Sequence, residues 1–131
     1  MAIDMVQSAR DFLRAHGFER VYSKRLDSFT GREGIALFGL PFVRTGKYYD
    51  GSTVGDYTIQ ACARSYDEQG AMELCSEVAD ALEGVYLESA NGTFEMIAGP
   101  LEVYAGPQEL ELDEEAMYVW EVRLTAHIKK G

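Results

Sequence analysis

The segment AMYVWEVRLTAHI, Ala116 to Ile128, alternates apolar and polar side chains more strictly than any other part of the chain. Ala116, Tyr118, Trp120, Val122, Leu124, Ala126 and Ile128 fall on one side. Glu121, Arg123, Thr125, His127 and Lys129 fall on the other, and Val119 is the apolar exception. A period of two puts successive side chains on opposite faces of an extended backbone, so this is a half-buried strand. At ~3.3 Å per residue it spans about 40 Å, roughly twice the usual strand. A strand that long either pairs with an equally long partner as a ribbon or reaches past its own domain toward a neighbour.

A second strand leads straight into a helix in DYTIQACARSYDEQGAMELCSEVADALEG, Asp56 to Gly84. Tyr57, Ile59, Ala61 and Ala63 point one way and should face the core. Thr58, Gln60, Cys62 and Arg64 point the other way. Ser65 and Glu68 match an S-x-x-E capping box, with Asp67 in the first turn where the helix dipole favours an anion. Ala71, Leu74, Cys75, Val78, Ala79 and Leu82 then form an apolar stripe at helical spacing, and Gly84 ends it. Gly70, near the start, has no reason visible in the sequence.

Ahead of this, Ala2, Met5, Val6, Ala9, Phe12 and Leu13 predict an amphipathic helix that stops at His16-Gly17, with His16 in a capping role. ERVYSKRL and GIALFGLPF are strand candidates, the second weakened by Gly39 and Pro41. VRTGKYYDGSTVGD is polar and glycine-rich and reads as an exposed loop, with Lys47, Tyr48, Tyr49 and Asp50 as its candidate mobile part. GTFEMIAGPLEVY is a further strand, interrupted at Gly99-Pro100. PQELELDEE reads as an acidic connection. Helix, strands, helix, strands predicts a single α+β domain over residues 1–131, an antiparallel or mixed sheet with two main helices on one face.

Composition narrows the function classes. With 131 residues and 47% hydrophobic residues the chain can bury a sizeable core. A net charge of −10 argues against a nucleic-acid groove and against anionic membranes, since both need clustered Lys and Arg. The first residues lack the basic and apolar regions of a signal peptide, so a cytoplasm with reduced thiols is the expected site of folding.

Tests for chemistry find little. Cys62 and Cys75 with two histidines match no zinc spacing. If the helix lies on the Ile59 face, the two sulfurs stand on opposite sides of the sheet, which forbids a disulfide. His16 and His127 accompany no nucleophile in a recognisable motif. No glycine-rich phosphate loop is present. Glu109, Glu111, Asp113, Glu114 and Glu115 lack the spacing of a calcium loop and read as a solvated hairpin tip.

The segments GDYTIQACARSYDEQGAMELCSEVADALEG and AGPLEVYAGPQELELDEEAMYVWEVRLTAHI resemble, in order, a strand, an aromatic-Asp-Glu loop, a helix, a Gly-Pro element, an acidic turn and a closing strand. That succession is similar to the small minor capsid and tail-terminator proteins of long-tailed bacteriophages and prophages. The resemblance covers a little over half the chain, and Phe18 to Val54 matches weakly. Ala116-Met117 stand where such proteins often place a basic residue.

The resemblance implies a structural protein with no enzyme activity and no cofactor. It implies a self-assembled ring, hexameric in that family, at the head–tail junction of the virion. The ring would be assembled in a bacterial cytoplasm and would contact tail-tube and head-connector proteins. DNA would pass through without specific binding, which an acidic, net negative lumen would favour; solubility explains the acidity equally well. Candidate interface residues are Arg64, Glu111, Asp113, Glu114, Glu115, Glu121, Arg123 and Lys129, whose charges would set orientation and partner choice. A head-completion or connector protein is the alternative within the virion. Outside it stand a small ligand-binding or enzymatic domain, with the Gly46–Gly55 loop and Arg64 over a pocket, and a host interaction domain.

Overall fold

A computed structural model describes residues 3–22, 33–110 and 118–130. In chain order these form α1 (Met5–Ala15), β1 (Val21–Tyr22), β2 (Gly34–Gly39), β3 (Val43–Lys47), β4 (Thr53–Ser65), α2 (Glu68–Leu82), β5 (Glu95–Met96), β6 (Glu102–Leu110) and β7 (Tyr118–Lys130).

The long closing strand finds a partner of its own length. β7 pairs antiparallel with β4 along the whole of both, from Ser65 opposite Tyr118 to Thr53 opposite Lys130. The other side of β7 is taken by β6, from Leu110 opposite Val119 to Glu102 opposite Thr125, and then by β5. Of the two outcomes open to an overlong strand, the ribbon is the one found. β7 therefore keeps no free edge with which to reach a neighbour. The remaining strands extend the ribbon: β2 pairs with the far half of β4 and β3 with its near half, while β1 joins β2 in parallel. The sheet is mixed, and both helices lie on one face of it.

That face is the one the alternation predicts. Ile35 and Leu37 of β2, Tyr57, Ile59, Ala61 and Ala63 of β4, and Val122, Leu124, Ala126 and Ile128 of β7 meet Met5, Ala9 and Leu13 of α1 and Cys75, Val78 and Leu82 of α2. Each large aliphatic side chain so buried contributes roughly 1.5–3 kcal/mol, which is why the pattern fixes the register. Cys62 is opposite Glu121 in register, on the other face. Both thiols are free and buried, and burial pushes each up to about 12.

α1 ends as its sequence predicts. Gly17 adopts a φ of +96°, Phe18 N–H donates to the Leu13 carbonyl at 3.0 Å and Gly17 N–H to that of Arg14 at 3.4 Å. This is the paired bonding of a glycine-terminated helix. His16 stacks on Phe12, ring centroids 4.1 Å apart, with Nδ1 2.8 Å from the Phe12 carbonyl oxygen.

α2 departs from the expected capping box. Asp67 is the N-cap, its carboxylate accepting from Gly70 N–H at 3.2 Å. Ser65 Oγ instead accepts from Asp67 N–H at 3.1 Å and donates to Glu33 at 2.7 Å. Two capping residues stood within reach, and the one nearer the helix took the position. Gly70 now has its reason: a β-carbon there would come within 3.1 Å of Ser65 Oγ and 3.3 Å of Asp67 Oδ2.

Two connections of the sequence reading are strands. The stretch read as an exposed loop is the β3–β4 hairpin, and the first half of the acidic connection belongs to β6. The first carries glycines and the second opens on Pro107, residues that signal turns, and both are tolerated because they lie at sheet edges with register shifts, between Arg44 and Gly46 in β3 and between Ala105 and Gln108 in β6.

Asp4 pins a loop to the start of α1. Its carboxylate accepts from Ser89 Oγ at 2.6 Å, Thr93 Oγ1 at 3.2 Å, and the Ala90 and Asn91 amides at 2.8 and 3.1 Å. Burial opposes ionisation, but the bonds from Ser89, Asn91, Ala90 and Thr93 together hold the group below its usual 3.8. A carboxyl depressed on folding stabilises above its unfolded pKa, and that stability is lost as pH falls through the folded value. Asp4→Asn, which turns an NH₂ group toward backbone donors, should cost about 1–2 kcal/mol at pH 7. In urea titrations the wild-type advantage should shrink as pH falls below about 4; an unchanged difference at pH 3 would contradict the assignment.

Candidate functional site

The open face of the ribbon carries matched polar pairs across β4 and β7. Asp56 meets His127, the Thr58 and Thr125 hydroxyls lie 3.0 Å apart, and Gln60 stands opposite Arg123. At the centre, the Glu121 carboxylate accepts from Gln60 Nε2 and, at 2.6 Å, from Gln108 Nε2, with Arg123 Nε 3.6 Å away. The Tyr104 hydroxyl and then the Glu121 carboxylate favour the charged form of Arg123. Glu121 is only 2% exposed. The alternation assigned it to a solvated face, but β6 brings Gln108 over it. In a single chain Glu121 is already enclosed and satisfied, whereas Arg123 remains partly exposed.

At one end of the ribbon β3 and the turn into β4 form an arm along the sheet edge, while the β4 half of the hairpin stays paired with β7. Val43, Arg44, Thr45 and Lys47 are exposed, and only Gly46 of β3 is half-buried. The arm exists because Gly55 lacks a side chain, since a β-carbon there would lie 2.1 Å from the Val43 carbonyl oxygen. Its tip is closed by Tyr48 N–H donating to the Ser52 carbonyl at 2.8 Å and by Asp50, which accepts from Ser52 N–H at 2.9 Å and Ser52 Oγ at 2.6 Å. Hydrogen bonds from Ser52 hold the Asp50 carboxyl below its usual range. Lys129 Nζ lies 3.6 Å from Asp50 Oδ2 and 5.3 Å from the centre of the Tyr48 ring. Lys47, Tyr48, Tyr49 and Asp50 thus stand together with Lys129, and Tyr49 is wholly exposed.

At the other end is a cleft of about 600 Å³ between the end of α1, the start of β2, the end of β4 and α2. Arg20, Glu33, Arg64, Glu73, Leu74 and Glu77 line it. Arg64 belongs here, at the opposite end of β4 from the arm, about 30 Å from Gly55 at ~3.3 Å per residue. A single pocket roofed by the Gly46–Gly55 segment and Arg64 is therefore not formed. Glu111, Asp113, Glu114 and Glu115 lie outside the described residues. Among the described residues no group of three or more His, Cys, Asp or Glu side chains is placed to hold a metal ion, and no helix is long and apolar enough to cross a membrane.

The arm and the cleft escaped the sequence reading. Gly55 opposite Arg44 is legible only once β3 is known to pair there, and the cleft joins residues far apart in the chain. The exposed Tyr48-Tyr49 pair beside Lys47 was the one available signal.

No family model and no curated protein matches the chain. Among solved structures it is similar to a chain in the virion of a native gene transfer agent (GTA) particle. The likeness has a TM-score of 0.67 over 95% of this chain and 94% of that one, at 16% identity. At that identity the likeness is one of fold.

Proposed function

We propose that this chain is a structural protein of a phage-like virion, a tail terminator that caps the tail tube as a ring and joins it to the head. The observation that carries the reading is the end-to-end fold likeness to a chain of a gene transfer agent virion, with neither chain having a large unmatched part. The resemblance of the strand–helix and closing-strand segments to tail terminators supports the finer assignment. The chain's charge of −10 supports a lumen that lets DNA pass without gripping phosphates. A basic lumen in the assembled ring contradicts that part of the account.

The head-completion or connector role uses the same kind of small α/β build and predicts a different defect. Deleting the gene and imaging the particles separates the two. Loss of a terminator removes the stop on tube growth, so headless tails of abnormal and variable length accumulate. Loss of a connector leaves tails of normal length unattached to filled heads. Normal particles would overturn both.

A further inference from the structure

Resting on the ring reading, we infer that the ring closes by a plug and socket: the β3–β4 arm of one copy docks in the α1–α2–sheet cleft of the next.

The placement forces the contact to be between copies. Arm and cleft sit at opposite ends of β4, a strand of 13 residues, hence about 40 Å apart at ~3.3 Å per residue. One chain cannot fill its own socket. A contact between two different patches is heterologous, and such a contact repeated by a rotation that closes on itself builds a ring.

The arm has the chemistry of a plug. β3 is exposed on both faces, outside the core, and the arm presents Val43, Tyr48 and Tyr49 at 59%, 46% and full exposure. Tyrosine is a favoured anchor because it brings a large apolar ring with a hydroxyl at its edge. Strand addition to β3 is discouraged by the bulge at Arg44–Gly46 and by Arg44 and Lys47 along the strand. The arm is thus built to dock through side chains and not through its backbone edge.

The cleft has the chemistry of the socket. Its volume of about 600 Å³ falls within the range of roughly 300–1,000 Å³ typical of sites that enclose ring-sized groups. Ile35 and Leu74 supply apolar wall, and Glu33, Glu73 and Glu77 supply the charge opposite to Arg44 and Lys47. Arg20 and Arg64 on the same wall are outnumbered by Glu19, Glu33, Glu73 and Glu77, so the lining stays net acidic. In a chain of net charge −10 most surface repels a second copy, so the few cations exposed on the arm select where a second copy can be tolerated.

The test places one cysteine on each side. Tyr49→Cys and Glu73→Cys are combined in one chain, and the assembled protein is treated with a short bismaleimide. Tail tubes are added where the chain alone does not assemble. Cys62 and Cys75 are buried with thiols pushed up to about 12, so they stay out of the reaction. The expected result is a ladder of covalent oligomers from the double variant and none from either single variant. In parallel, Tyr48→Ser with Tyr49→Ser should raise the dissociation constant of self-association at least about tenfold. An assembly of wild-type mass that yields no ladder overturns the plug and socket and leaves the ring standing. Cross-linked dimers from Tyr49→Cys alone show tip-to-tip contact and overturn it too. A wild-type chain that stays monomeric even with tubes overturns both ring and docking.

Discussion

Replacing Gly55 by valine is expected to detach β3 from β4 and abolish self-association, while the helix-backed half of the sheet stays folded. A β-carbon at this position would lie 2.1 Å from the Val43 carbonyl oxygen and 2.9 Å from Arg44 Cα. Both are backbone atoms and cannot swing aside as a side-chain tip would. β3 has little besides that pairing to hold it, since it bonds to β4 alone and keeps four of its residues exposed. The core residues of β4, Tyr57 to Ala63, lie beyond the clash. The global cost should therefore be modest, about 1–3 kcal/mol, of the size of other overpacking changes. Hydrogen exchange should show lost protection for amides of residues 43–47 and retained protection for 59–64. Retained protection in β3, or loss across the whole of β4, would contradict this account of the arm.

The second large effect is expected at Glu121. Its carboxylate is the acceptor shared by the Gln60 and Gln108 amides and lies 3.6 Å from Arg123 Nε. Glu121→Ala strands two amides in a site that is 2% exposed. Removing one partner of a buried, hydrogen-bonded group costs far more than an exposed pair is worth. A loss of about 2–4 kcal/mol is expected, a fall in Tm of roughly 10 °C for a domain of this size. Glu121→Gln keeps one acceptor oxygen and the shape of the side chain, and should lose less than half as much. Glu109→Ala, at an exposed position of β6, should change stability by no more than about 0.5 kcal/mol. If Glu121→Ala proves no worse than Glu109→Ala, the residue is a surface charge as the alternation first suggested.

That contrast shows where the sequence was legible. The periodicity of Tyr57–Ala63 and Val122–Ile128 identified the core face because burial of large aliphatic groups dominates strand register. The α2 stripe and the Gly17 stop of α1 were readable for the same reason, since each is a local pattern with a single physical meaning. Glu121 was misplaced because alternation names a face but not what covers it. The cover is Gln108, from a strand hidden behind Gly106-Pro107 in the sequence. The β3–β4 arm was hidden likewise, since Gly46, Gly51 and Gly55 are loop signals locally, while Gly55 is there to let a strand approach. The arm and the cleft, at the two ends of β4, depend on tertiary pairing, which no local pattern encodes.

The claim that the chain closes tail tubes as a ring is tested most directly by imaging tubes assembled with and without the purified protein. The account predicts tubes of limited length whose growing end is occupied by a closed ring of this chain. Tubes whose length and ends are unchanged, with the chain remaining in solution at the mass of one copy, would contradict it.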